Sequence, residues 1–159
     1  MAVGLFTNDP IIAQNFFLEI DGAVISSLMS VSGLDIEVTV SASKQSGSGG
    51  AQEEIKSLGA TTAAPALNLT RVAPLDSPSD KMWMWFNDIR GAGLVATDRA
   101  GGRKNGSIVL YDSARTEVAR FNFFNSWPSK ISTDQLSVDS TEVVKETITL
   151  QCERLERVK

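Results

Sequence analysis

Apolar and polar side chains alternate along most of this chain at the two-residue period of a β-strand, and one stretch repeats at helical spacing. Residues 15–21 place Phe16, Leu18 and Ile20 on one face and Phe17, Glu19 and Asp21 on the other, which predicts a strand. Asp21-Gly22 is a hairpin-favoured turn, and an apolar, β-branched run from Val24 to Val31 follows it. The cleanest alternation sets Leu34, Ile36, Val38, Val40 and Ala42 against Asp35, Glu37, Thr39, Ser41 and Ser43, predicting a long strand with one buried and one wet face. Residues 44–62, centred on Ser46-Gly47-Ser48-Gly49-Gly50, hold few large apolar groups and predict an exposed loop or extended hairpin. Long loops in compact domains are commonly functional, so Lys44, Gln45, Glu53, Glu54 and Lys56 become candidate partner contacts.

Leu67 and Leu69 alternate with Asn68 and Thr70 in a strand that ends before Pro74. The helix is predicted to start at Ser77-Pro78-Ser79-Asp80, with Ser77 as cap and Pro78 at the first helical position. Met82, Trp85, Phe86 and Ile89 then follow the spacing of a buried stripe, and Gly91 serves as the expected C-cap. Trp83 and Met84 fall off that stripe and are candidate contacts to a neighbouring subunit. Residues 92–102 read as a loop, Asn105-Gly106 as a turn into a strand over 107–112, and 116–124 as its hairpin partner, broken by Trp127-Pro128. A last strand from about Glu142 to Cys152 sets Ile148, Leu150 and Cys152 opposite the small polar face of Thr147, Thr149 and Gln151. Six to eight strands without strand–helix alternation predict a mainly β class, an antiparallel barrel or sandwich with one flanking helix.

Composition narrows the chemistry. The 159 residues fit one domain spanning 1–159, and no apolar run approaches the ~18 residues of a membrane-spanning helix. The first residues lack the basic start and apolar stretch of a secretory signal, so assembly in the cytoplasm is expected, without membrane insertion of the monomer. The lone Cys152 excludes an internal disulfide and reads as a small apolar filler. Histidine is absent, which removes the commonest general base and metal ligand together. No catalytic residue, cofactor or metal site is expected. Gly91-Ala92-Gly93 follows a helix instead of joining a strand to one, and Gly47-Ser48-Gly49-Gly50 lacks the Lys-Ser/Thr ending of a phosphate loop. Asp35 and Glu37 share a strand face, as a solvated edge does, with neither an apolar pocket nor a calcium-loop spacing around them. Phe121, Phe123, Phe124 and Trp127 could stack bases, but the net charge of −4 opposes a nucleic-acid groove, and core packing explains them.

Several segments in order resemble the tail-tube proteins of contractile phages and phage-tail-like injection systems: residues 15–22, 31–38, Trp83-Met84-Trp85, 104–110, 121–130, 142–146 and 150–156. The resemblance implies two packed antiparallel β-sheets with a flanking helix, and a fold shared with the tube protein of type VI secretion. It also implies homo-hexameric rings stacked into a hollow tube inside a contractile sheath, with baseplate or hub and tube-terminator proteins at the ends and cargo in the lumen. On that reading Lys44, Gln45, Glu53, Glu54, Lys56, Trp83 and Met84 are candidate subunit or ring contacts, and Thr39, Ser41, Thr147, Thr149 and Gln151 are candidate lumen-facing residues. An effector-binding carrier ring and a baseplate-proximal initiator ring are the alternatives. Rings of a chain this acidic repel polyanions unless the charges are segregated.

Overall fold

The computed structural model describes residues 15–59, 66–92 and 102–159. Its strands are β1 (Asn15–Ile20), β2 (Ala23–Ser27), β3 (Ser30–Ser32), β4 (Val40–Ser46), β5 (Gln52–Leu58), β6 (Leu67–Val72), β7 (Lys104–Tyr111), β8 (Glu117–Thr133), β9 (Lys145–Gln151) and β10 (Arg154–Arg157). One helix, α1 (Lys81–Ala92), lies between β6 and β7. The molecule is mainly β, and every strand pair is antiparallel.

β8 organises the architecture. Residues 117–126 of this 17-residue strand belong to a first sheet, β2-β1-β7-β8-β10, and residues 127–133 to a second, β8-β9-β6-β3. Asn125 at φ 49° and a register shift between Pro128 and Lys130 turn the strand from one sheet into the other. Beyond that shift β9 and β10 keep one register along β8, Gln151 opposite Trp127 and Arg154 opposite Phe124, with pairing interrupted at Cys152 and Glu153. At the opposite corner β2 pairs with β1 and β3 with β6, and the Met29 N–H donates to the Thr70 carbonyl at 2.7 Å between them. One segment, 23–32, thus joins the margins of both sheets and closes a barrel.

Several expectations are corrected. Pro128 does not end the strand; it is fully buried inside β8 beside the bulge, one of the places where a sheet accepts a proline. Asn105-Gly106 is no turn but part of β7, where a Cβ on Gly106 would meet the Glu19 carbonyl oxygen and Phe123 Cζ at 2.5 Å each. The glycine is needed for close approach, not for a bend. Gly91 lies within α1 and is not its C-cap. Asp80, not Ser77, caps the helix: its Oδ2 accepts from the Trp83 N–H at 3.0 Å, while Ser77–Ser79 form a short 3₁₀ turn. The run from Leu34 to Ser43 is a strand only from Val40, and neither face of it is buried. The predicted loop over 92–102 lies mostly outside the described residues.

Met82 and Trp85 of α1 enter the same core as Leu18 of β1, Leu69 of β6, Phe123 of β8 and Ile148 of β9. Phe86 and Ile89 are half-buried at its margin. Arg71 occupies the inward parity of β6 after Leu67 and Leu69, so its guanidinium is buried and requires partners. It donates two bonds to the Asp80 carboxylate at 2.9 and 2.7 Å, two to Glu146 Oε2 at 3.3 and 3.2 Å, and one to Ser26 Oγ at 3.4 Å. The Trp83 indole N–H completes Glu146 at 3.0 Å. One cation therefore links β2, β6, β9 and the start of α1.

Burial alone raises the Asp80 carboxyl, but the Arg71 bonds and the Trp83 and Met82 N–H groups outweigh it and hold the carboxyl below its ordinary 3.8. The unfolded chain thus binds the proton more readily, and this stabilisation is present above about pH 4 and lost as pH falls through the depressed folded value. Asp80→Asn is expected to remove part of the acid-induced loss of stability below pH 3.8, read from urea titrations across pH. Arg71→Ala, which leaves the buried Glu146 and the half-buried Asp80 without their cation, is expected to cost about 3–5 kcal/mol in the same assay at pH 7.

Candidate assembly surfaces

Three surfaces lack a partner among the described residues. β4 and β5 form a two-stranded arm, in register from Val40↔Leu58 to Ser46↔Gln52, in which every residue is exposed. Paired residues share a face. Val40, Ala42 and Leu58 are therefore apolar neighbours near the arm's base, and Lys44 faces Glu54 toward its tip. The opposite face carries Ser41, Ser43, Gln45, Glu53, Ile55 and Ser57. Ile36 and Val38, 58% and 50% exposed, extend the apolar stripe toward Val40 and Leu58 at 65% and 82%. The alternation that predicted a half-buried strand is real, but beyond Leu34, which packs on the core, nothing among the described residues covers it.

The arm and a second exposed patch leave the second sheet at opposite ends. Ser32 of β3 lies opposite Asn68, the end at which the chain departs toward the arm and returns into β6. At the far end Val72 faces Lys145, the Ala73 N–H donates to the Val144 carbonyl at 2.9 Å, and the 134–144 connection joins β8 to β9. Leu75, Leu136, Val138 and Val143 are all exposed there. The sequence reading passed over this patch, although Leu136 and Val138 stand isolated among polar residues and signal apolar groups without a core to enter.

The third surface is the outward face of the second sheet. Cross-strand register aligns Ser30, Thr70, Thr147 and Ser132 in one row and Ser32, Asn68, Thr149 and Lys130 in the next, with Gln151 beside Trp127 beyond them. Hydroxyls and amides serve one another: Thr70 and Thr147 lie 3.5 Å apart, and Thr149 Oγ1 donates to Asn68 Oδ1 at 3.1 Å.

The structure thus separates the two candidate lumen sets. Thr147, Thr149 and Gln151 lie half-buried on this sheet face, whereas Thr39 and Ser41 sit at the base of the arm. Lys44, Gln45, Glu53, Glu54 and Lys56 all lie on the arm. Met84 is half exposed, but Trp83 is half-buried, bonded to Glu146 and set edge-on to Phe86 at 6.0 Å. Asp35 and Glu37 are exposed, and among the described residues no group of acidic or cysteine side chains could hold a metal ion. Phe123 is buried, while Phe124 and Trp127 lie beneath Arg154 and Arg103, whose guanidinium carbons are 5.1 and 4.6 Å from the ring centroids.

Residues 13–156 match the family model described as T4-like virus tail tube protein gp19. A search of curated proteins found no match. Among solved structures, the fold is similar to a chain of the sheath/tube terminator of the PVC extracellular contractile injection system in its extended state, with TM-score 0.75, 21% identity, and 97% of this chain and 100% of that one covered. A chain of the PVC sheath-tube complex gives TM-score 0.72 at 22% identity over 95% and 93% of the two chains. Hcp1 from Flavobacterium johnsoniae gives 0.52 at 12% over 91% and 95%.

An uncovered two-stranded hairpin is marginally stable in water. In hydrogen exchange on the dilute protein, amides of residues 40–58 are expected to deuterate at the earliest times while those of 146–150 stay protected. Equal protection of both segments would contradict an unpartnered arm.

Proposed function

Since the chain belongs to the T4-like virus tail tube protein family, whose members are structural tube proteins and not enzymes, we propose that it is a repeating subunit of the inner tube of a contractile tail or contractile injection system. Six copies form a ring, rings stack into a hollow tube, a contractile sheath surrounds it, and baseplate and terminator proteins close its ends. It is assembled in the cytoplasm and then becomes part of a phage tail or injection particle.

The observation that supports this reading best is the placement of two unlike apolar surfaces at opposite ends of one sheet, the arm at one and the 134–144 patch at the other. Unlike patches pair head to tail, and such contacts repeat without limit unless a rotation closes them. The arm of one copy therefore covers its apolar stripe on a copy in the next ring. Lys44, Gln45, Glu53, Glu54 and Lys56 border that contact, and Met84 stands on α1 as a second contact within the ring. The outward face of the second sheet, with Thr147, Thr149 and Gln151, lines the lumen: its self-satisfied hydroxyl and amide rows form a wet wall to which passing material does not adhere.

Val40→Asp combined with Leu58→Asp provides the test. Both residues are solvent-exposed in the single copy, so monomer stability is expected to stay within about 0.5 kcal/mol. Sedimentation and negative-stain microscopy are expected to show rings and tubes for the wild type and isolated rings or monomers for the double variant. A wild type that stays monomeric at every concentration, even with its sheath protein, overturns the reading. So does a double variant that builds tubes as well as the wild type.

A further inference from the structure

The outward face of the second sheet departs in charge from the rest of the molecule. The chain carries 19 acidic against 15 basic residues, yet none of the aligned outward positions on β3, β6, β8 or β9 holds Asp or Glu. Two hold lysine. Lys145, at the border, has its ammonium 4.0 Å from the Glu142 carboxylate. Lys130 stands opposite Thr149, which faces outward because Ile148 and Leu150 face the core, so the lysine projects on the same side, at the β8 end of its hydroxyl row. It is exposed and makes no ion pair or hydrogen bond among the described residues. The neighbouring 134–144 connection, by contrast, holds Asp134, Asp139 and Glu142 and no basic residue.

We infer that this face carries an acidic polypeptide as cargo, an inference that rests on the face lining a tube. An ammonium with no carboxylate nearby leaves a local positive potential, and repetition around a narrow wall sums it, because confined walls focus the field. The surrounding hydroxyls and amides both donate and accept, so they serve carboxylates and peptide groups alike. They also offer no apolar hold, which keeps the attraction weak and reversible. Nucleic acid fits less well: duplex DNA carries a charge every ~1.7 Å and is bound through clustered Lys and Arg. One unpaired lysine per copy on this face, among the described residues, cannot match that density, whereas the more widely spaced carboxylates of an acidic polypeptide meet it singly.

The test uses tubes assembled from the full chain and fluorescein-labelled poly-glutamate as probe, with poly-lysine and duplex DNA as comparators. Co-sedimentation is expected to retain poly-glutamate at low salt, to release it as salt rises, and to leave poly-lysine in solution. Lys130→Glu is expected to weaken retention by more than about tenfold, since each copy in the wall then repels the probe, with tubes unchanged in negative stain. Lys81→Glu on α1, an equal change of charge elsewhere, is expected to leave retention as it was. Equal retention by Lys130→Glu and wild-type tubes, or tighter retention of duplex DNA than of poly-glutamate, overturns the inference. Tubes that form but hold no poly-glutamate remove the cargo inference alone, while a wild type that forms no tubes removes it together with the assembly reading.

Discussion

Every β-sheet ends in a row of backbone N–H and C=O groups that must find a partner, whether water, another strand or another molecule. In this chain the demand is met in two different ways. The main sheets satisfy their margins internally: β8 passes from one to the other, β9 and then β10 pair along it, and the 23–32 segment bonds to β1 and then to β6. The arm does not. Among the described residues its strands bond only to each other, and its apolar stripe is exposed. The alternation from Leu34 to Ser43 predicts a half-buried strand of the body, whereas the run becomes a strand only in the arm, and the barrel closes without it. Among the described residues, exposed apolar side chains are concentrated in that hairpin and in the patch at the other end of the sheet.

Much of the fold was legible because strand parity was clear. Phe16, Leu18 and Ile20, Leu67 and Leu69, and Ile148 and Leu150 all turn toward the core side as their alternation requires. The Asp21-Gly22 turn also formed, with φ of 50° and 80° at its two residues, as the hairpin-favoured geometry demands. What failed were readings of single residues as punctuation. Pro128 and Gly106 signal breaks in isolation, but a bulge accepts the proline, and the glycine makes room for the Phe123 ring and the Glu19 backbone. Both reasons lie in distant parts of the chain, which local sequence does not display. The candidate surfaces were half legible: composition marked the arm, but only the register of β6, β8 and β9 reveals which hydroxyl residues form continuous rows.

The polar interior was the least visible part. Arg71 follows Leu67 and Leu69 at inward parity, so the pattern alone placed a charge in the core, yet its partners come from 9 and 75 residues away. A similar group lies on the outer side of the first sheet, where Arg120 reaches Glu19 at 2.9 Å and Glu117 at 2.8 Å. Each cation is matched by two carboxylates, so neither cluster leaves a positive charge over. Acidic residues are thus drawn to the core network and the first sheet, and the outward face of the second sheet is left to uncharged groups and lysine.

The path of β8 has a mechanical side as well. Its 17 residues run unbroken through both layers, so the layers are tied by a covalent backbone as well as by side-chain packing. A load that tries to slide one layer over the other must stretch that tie and shear the β8 ladders with β7 and β9 together, instead of peeling them one bond at a time.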